Sequence, residues 1–112
     1  MKKVEAIVRP EKLADVRRNL EEKGYSGLMI TEVQGHGRQK GIEQQWRGEK
    51  YRIDIFTKLK LELVTEDDSA DRIVLAIAEA ARTGEIGDGK IFVTPVEDAL
   101  RIRTGDRGKE AL

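Results

Sequence analysis

Residues 52–65 read RIDIFTKLKLELVT. Ile53, Ile55, Leu59, Leu61 and Leu63 take odd positions, while Arg52, Asp54, Lys58, Lys60 and Glu62 take even ones. A period of two turns one face of a β-strand to a core and the other to charge. The run is long enough to continue past a sheet as one arm of the loop before it. Outward from this strand, KKVEAIV (2–8) alternates too, with Val4, Ala6 and Val8 on one side and Lys3, Glu5 and Ile7 on the other. Pro10 then suits a first helical turn, because its fixed φ is helical and its missing N–H is unpaired there anyway. Leu13, Val16 and Leu20 form one apolar stripe, and Gly24 is placed as the C-cap.

GLMITEVQ (27–34) reads as the second strand. GHGRQKGIEQQWRGEK (35–50) is rich in glycine and basic residues and has almost no hydrophobic period, which predicts a long polar loop. Loops beyond about 12–15 residues are uncommon in compact domains unless they are functional or disordered. After the long strand, TEDDSADRIVLAIAEAARTG (65–84) opens with acidic and hydroxyl residues that suit a helix N-terminus. It continues with Ile73, Val74, Ile77 and Ala81 on one face and ends at Gly84 as C-cap. KIFVTPV (90–96) is a fourth sheet strand, with Pro95 marking an edge or an end. ALRIRTG (99–105) alternates again and sets Arg101 and Arg103 on the same side of an extended segment.

The order β α β β α β predicts an α+β, ferredoxin-like domain spanning 1–112, a four-stranded antiparallel sheet with both helices on one face. The other face, carrying Lys58, Lys60 and Glu62 beside Ile7 and Val64, is left open, so self-association is expected. Among 112 residues, 21 basic and 21 acidic side chains cancel, and net charge points to neither nucleic acid nor an anionic membrane. The absence of cysteine excludes disulfides and thiol chemistry, and a single histidine excludes a multi-imidazole metal site. No signal-peptide h-region or membrane-length apolar run is present, so a cytoplasmic protein is expected. Charged residues at 38% against 4% aromatic suggest surface ion-pair networks of the kind found in heat-adapted proteins.

TGEIGDGKIFV (83–93) nearly matches the P-loop pattern G-x-x-x-x-G-K-[ST], with Ile91 in the last place. A true P-loop runs from strand to helix so that free helical N–H groups meet the phosphates. Here a helix ends and a strand follows. Gly87, Asp88 and Gly89 still permit successive N–H groups to turn toward one anion, with Lys90 as a point charge. Arg101 and Arg103 add guanidinium groups suited to phosphate oxygens.

GxIGDGKIFV, ALRIRTGD and TEVQGHGRQKG together closely resemble the PII nitrogen-signalling proteins, especially the branch linked to ammonium transporters, and the similarity covers essentially the whole chain. The resemblance implies a homotrimer with a nucleotide site in each cleft between subunits. It implies that a B-loop (about 83–90) wraps the phosphates of ATP or ADP through Gly87, Asp88, Gly89 and Lys90, that a C-terminal segment (about 97–112) adds Arg101 and Arg103, and that Ile7, Gly27, Met29, Gly35, Glu62 and Val64 lie toward the adenine. Gly37, Arg38 and Gln39 would complete the nucleotide site. With Mg-ATP bound, 2-oxoglutarate would sit among Gly37, Arg38, Gln39, Lys40, Gly41, Lys58 and Gly87, with Gln39 as a magnesium ligand.

The same resemblance makes the long T-loop (about 35–55) a plug for the cytoplasmic pore of an ammonium transporter, with Arg47 reaching in. The protein would thus be recruited peripherally to the inner face of the membrane, with nitrogen-assimilation enzymes as further partners. Tyr51 matches a tyrosine that some relatives uridylylate, but Trp46 and Lys50 depart from the family's usual residues and argue against modification here. Glu49 rules out the serine phosphorylation of other relatives. Two readings compete. A small nucleotide- or phosphate-processing enzyme lacks a nucleophile with a base beside it, since His36 is the sole histidine. An RNA-binding sheet would need stacking aromatics, and Phe56 and Phe92 alone form no such pattern.

Overall fold

Alternation along residues 2–8 becomes strand β1 (Lys2–Val8), whose Val4, Ala6 and Val8 are all buried. The computed structural model describes residues 1–36, 42–46, 49–53 and 55–112, with the segments 42–46 and 49–53 described by their backbone alone. Pro10 opens a 3-10 turn (Pro10–Lys12) that runs straight into helix α1 (Leu13–Glu22). The helix closes on a Schellman motif: the Tyr25 N–H donates to the Leu20 carbonyl at 2.9 Å and the Gly24 N–H to the Glu21 carbonyl at 3.0 Å. Gly24, at φ +90, takes the left-handed conformation this ending requires. Lys23 is the C-cap and Gly24 the residue after it.

Strand β2 (Met29–His36) pairs antiparallel with β5 (Ile55–Thr65), and β5 pairs antiparallel with β1. Between β2 and β5 lie β3 (Ile42–Trp46) and β4 (Glu49–Ile53), paired with each other from Ile42↔Ile53 to Trp46↔Glu49. The long loop expected from residue 35 thus carries a short paired ribbon of its own. IEQQW and EKYRI form a ribbon through backbone pairing, each run of five residues too short for its period to be decisive. The expected extension of β5 is present. Its ladder with β1 stops at Val8↔Leu59, while its ladder with β2 continues through Val33↔Lys58, Gln34↔Thr57, Gly35↔Phe56 and His36↔Ile55.

Helix α2 (Asp67–Ala81) follows β5 and leads to β6 (Lys90–Pro95), which pairs antiparallel with β1. The sheet order is β2-β5-β1-β6, with the two crossover helices between sequence neighbours, as the ferredoxin-like topology demands. β6 is an edge strand that ends on Pro95, where a missing N–H is harmless. Val4, Ala6, Val8 and Leu61 of the central strands meet Val16 and Leu20 of α1 and Ile73, Ala76 and Ile77 of α2 in one core. Small Ala76 lets the helices approach, and Asn19 Nδ2 donates to the Ala76 carbonyl at 2.7 Å.

The registers align rows across the uncovered face. Met29, Glu62, Glu5 and Phe92 form one row, and Thr31, Lys60, Ile7 and Lys90 the next. Met29, Val64 and Phe92 remain exposed there at 71%, 38% and 48%. No helix among the described residues is long and apolar enough to cross a membrane. Leu61, fully buried at the sheet centre, should lose about 2–5 kcal/mol of stability on replacement by alanine, read from urea unfolding.

Candidate functional site

Helix α2 ends earlier than the glycine pattern suggests. Its C-cap is Arg82, extended at φ −70 and ψ 130, so Gly84 is not the cap. Gly84 instead belongs to the loop, at φ +88, where its N–H donates to Asp88 Oδ2 at 2.8 Å. The Thr83 N–H donates to the same oxygen at 2.9 Å, and the Thr83 hydroxyl and Arg9 Nε donate to Oδ1, the latter at 3.2 Å. Residues 83–88 are thereby closed into a ring around one carboxylate. The Thr83 bonds above all hold the Asp88 carboxyl well below the usual carboxylate range; desolvation opposes them, and the bonds from Gly84 and then Arg9 add lesser contributions.

The returning chain passes close to β1. A Cβ on Gly89, whose φ is +98, would overlap the carbonyl of Ile7, so glycine is the only residue that fits without displacing the central strand. Gly87 is also in a positive-φ conformation, at +106. On the opposite side, Lys58 Nζ donates to the Gly87 carbonyl at 2.6 Å, and the residue is only 9% exposed. Burial first, and the nearby Arg9 charge second, push the Lys58 amine below its ordinary value, partly offset by Glu11 and Asp88. Its hydrogen-bond partner is a neutral carbonyl, so this buried cation is suited to accept an incoming anion.

These groups border an open cleft of about 760 Å3 lined by Ile7, Gly35, Phe56, Lys58, Gly87 to Lys90 and Phe92, with His36, Glu85 and Ile86 at the same site. The cleft joins the uncovered sheet face to the glycine loop. Of the residues singled out in the sequence, Ile7, Gly35, Lys58, Gly87, Asp88, Gly89 and Lys90 come together here. Glu62 and Val64 lie farther along the same face of β5, where Glu62 Oε1 is 3.7 Å from Lys3 Nζ. Met29 sits across from Glu62 on the edge strand β2, and Gly27 lines a separate small hollow beneath Tyr25. Gly37, Arg38, Gln39, Lys40, Gly41 and Arg47 lie outside the described residues, as does the side chain of Tyr51.

The expected extended segment at 99–105 is corrected. Leu100 bridges Arg107, the Arg101 N–H donates to the Asp106 carbonyl at 2.9 Å, and the Gly105 N–H returns to the Arg101 carbonyl at 2.8 Å. This is a tight hairpin, closed by Gly105 at φ +77. Alternation over so few residues does not distinguish a strand from a hairpin arm. Arg101 donates to the Leu112 main-chain oxygen at 2.7 Å, and neither arginine lines this chain's cleft. Sequence patterning missed Arg9 and Thr83, whose roles arise from contacts across 79 and 5 positions of chain. A threonine five residues before an aspartate in a glycine-rich loop was the only local signal.

The chain is similar to known proteins over its whole length. The family described as nitrogen regulatory protein P-II matches residues 1–106. A nitrogen regulatory protein P-II of Azospirillum brasilense is 52% identical over 112 residues, covering all of both chains. That of Haemophilus influenzae is 53% identical, again over all of both chains. Nitrogen regulatory protein P-II 2 of Methanothermobacter thermautotrophicus is 50% identical over all of this chain and 97% of its own.

Gly89→Ala should cost at least about 1–3 kcal/mol, through positive φ and overlap with the β1 backbone, and lower the urea midpoint accordingly. Acid should act through Asp88. Its folded pKa lies below the ordinary 3.8, so its contribution to stability is complete above that value and is lost as pH falls below it. The drop in urea midpoint between pH 5 and pH 3 should be smaller in Asp88→Asn than in the parent.

Proposed function

The chain belongs to the nitrogen regulatory protein P-II family, and from that premise and the geometry of the cleft we propose that it is a nitrogen- and energy-status sensor that binds ATP or ADP. The single observation that carries this reading is the loop 83–90. It combines three positive-φ glycines and a carboxylate already engaged by its own loop, and its Lys90 borders one cleft with Lys58 of β5. Such a loop presents main-chain N–H groups and positive charge to a polyphosphate without a hydrolytic nucleophile. The family is regulatory rather than enzymatic, which fits a site built to bind.

In this reading three copies associate through the uncovered sheet face, and Arg101 and Arg103 of one subunit complete the cleft of its neighbour. That accounts for two arginines held by a tight hairpin away from their own chain's cleft. Burial of Met29, Val64 and Phe92 would supply part of the driving force. Glu62, Val64, Gly27 and Met29 then border the base of the nucleotide. 2-Oxoglutarate binds beside the phosphates with one carboxylate on Lys58, and Gln39 helps to hold magnesium. The described residues contain no cluster of three metal-ligating side chains. This suits a magnesium ion held chiefly by phosphate and keto-acid oxygens, the usual arrangement for this cation. When bound, the ion would neutralise phosphate charge.

The output is regulation of an ammonium transporter. The segment between β2 and β5 inserts into the cytoplasmic pore with Arg47 leading, and 2-oxoglutarate at its base shifts the segment to a non-inserting state. Light scattering should give a mass three times that of the chain. Calorimetry should show ATP and ADP competing for one site per chain, and Lys90→Ala should weaken ATP binding by about 1.5–3 kcal/mol, the usual loss for a charged hydrogen bond. Absence of any heat with either nucleotide would sink the proposal. Titration with 2-oxoglutarate should give binding only when Mg-ATP is present.

A further inference from the structure

Arg9 follows β1 directly and stands at the base of the glycine loop. Its Nε donates to Asp88 Oδ1 at 3.2 Å and its Nη2 to the Ile86 carbonyl at 2.9 Å, with the side chain only 16% exposed. The other bonds to Asp88 come from Thr83 and Gly84, which lie within the same loop. These two sets of bonds have different consequences. The internal set fixes the shape of the loop, whereas the Arg9 pair, with Lys58 of β5 on the Gly87 carbonyl at 2.6 Å, fixes where that shape sits relative to the sheet.

We infer that Arg9 is a positioning residue of the anion cradle, acting through Asp88 and Ile86 to set the placement of the main-chain N–H groups of Gly87 to Lys90 for a nucleotide polyphosphate. The inference rests on the nucleotide reading above. It assigns the Asp88 carboxylate to the loop rather than to the ligand. An uncompensated carboxylate beside a phosphate would repel it, and here four donors surround that charge. A lysine at position 9 would carry the same charge without the fork that reaches two acceptors at once.

The test uses full-length Arg9→Gln, Arg9→Lys, Asp88→Asn and the Arg9→Gln/Asp88→Asn double variant. Each is followed by 1H–15N spectra without ligand and by calorimetric titration with Mg-ATP. In both Arg9 variants the amide signals of Gly84, Gly87 and Gly89 should move while those of α1 stay in place. Mg-ATP affinity should fall about tenfold in each, and the double variant should be no weaker than the weaker single one, as expected for residues acting as a unit. Full recovery of affinity by Arg9→Lys, or losses that multiply in the double variant, would show Arg9 acting on the ligand as a charge and overturn the inference. A parent protein that takes up no nucleotide removes the functional reading, and the ligand-free spectra then decide this one. Unmoved loop signals in Arg9→Gln overturn it in either case.

Discussion

Strand β1 is hydrogen-bonded along both edges, to β5 on one side and β6 on the other, and the rest of the molecule is arranged by that double pairing. Its even residues Val4, Ala6 and Val8 anchor the core under both helices. Its odd residues Lys3, Glu5 and Ile7 face the opposite way, so the same strand that anchors the core also brings Ile7 to the cleft. A slip of one residue would exchange these faces, which is why the alternation strongly specifies the register. The closest constraint falls at its end, where Gly89 lies against the Ile7 carbonyl with no room for a side chain.

The loop over this strand is ordered from within and anchored from outside. Asp88 gathers donors from Thr83, Gly84 and Arg9, while Lys58 reaches the neighbouring Gly87 carbonyl from β5. Binding a flexible loop to an anion would require ordering it at that moment, at a cost of about 1–2 kcal/mol per residue. A loop held in advance by side chains from β5 and from the end of β1 has met much of that cost during folding. Preorganisation of this kind lowers the cost of binding an anion at the loop.

Much of the fold was legible because its signals are local and periodic. The alternation at 2–8, the Leu59, Leu61 and Leu63 part of the one in β5 and the apolar stripes of both helices reproduce the observed buried faces, while Ile55 at the β5 start is exposed and Lys58 on the charged face is buried; Pro95 marks the end of the edge strand. Failures came where periodicity is short or absent. The paired runs of β3 and β4 are only five residues each, and the Arg101–Arg103 stretch is too brief for alternation to separate strand from turn. Gly84 looked like a helix end because loop glycines and cap glycines share the same left-handed conformation. The extended C-cap at Arg82 and the Gly84 hydrogen bond to Asp88 tell them apart.

The sequence by itself determined the element order, the two faces of the sheet, the glycine loop with its lysine and, through its similarity to known chains, the family. Those properties are carried by neighbours in the chain or by patterns of fixed period. Tertiary structure alone decided which polar groups serve the loop and which face the cleft. Arg9 and Asp88 are 79 residues apart in the chain, and Lys58 is 29 from Gly87. Contacts at that separation leave no periodic trace, because they depend on where two strands and a loop converge once the core has formed.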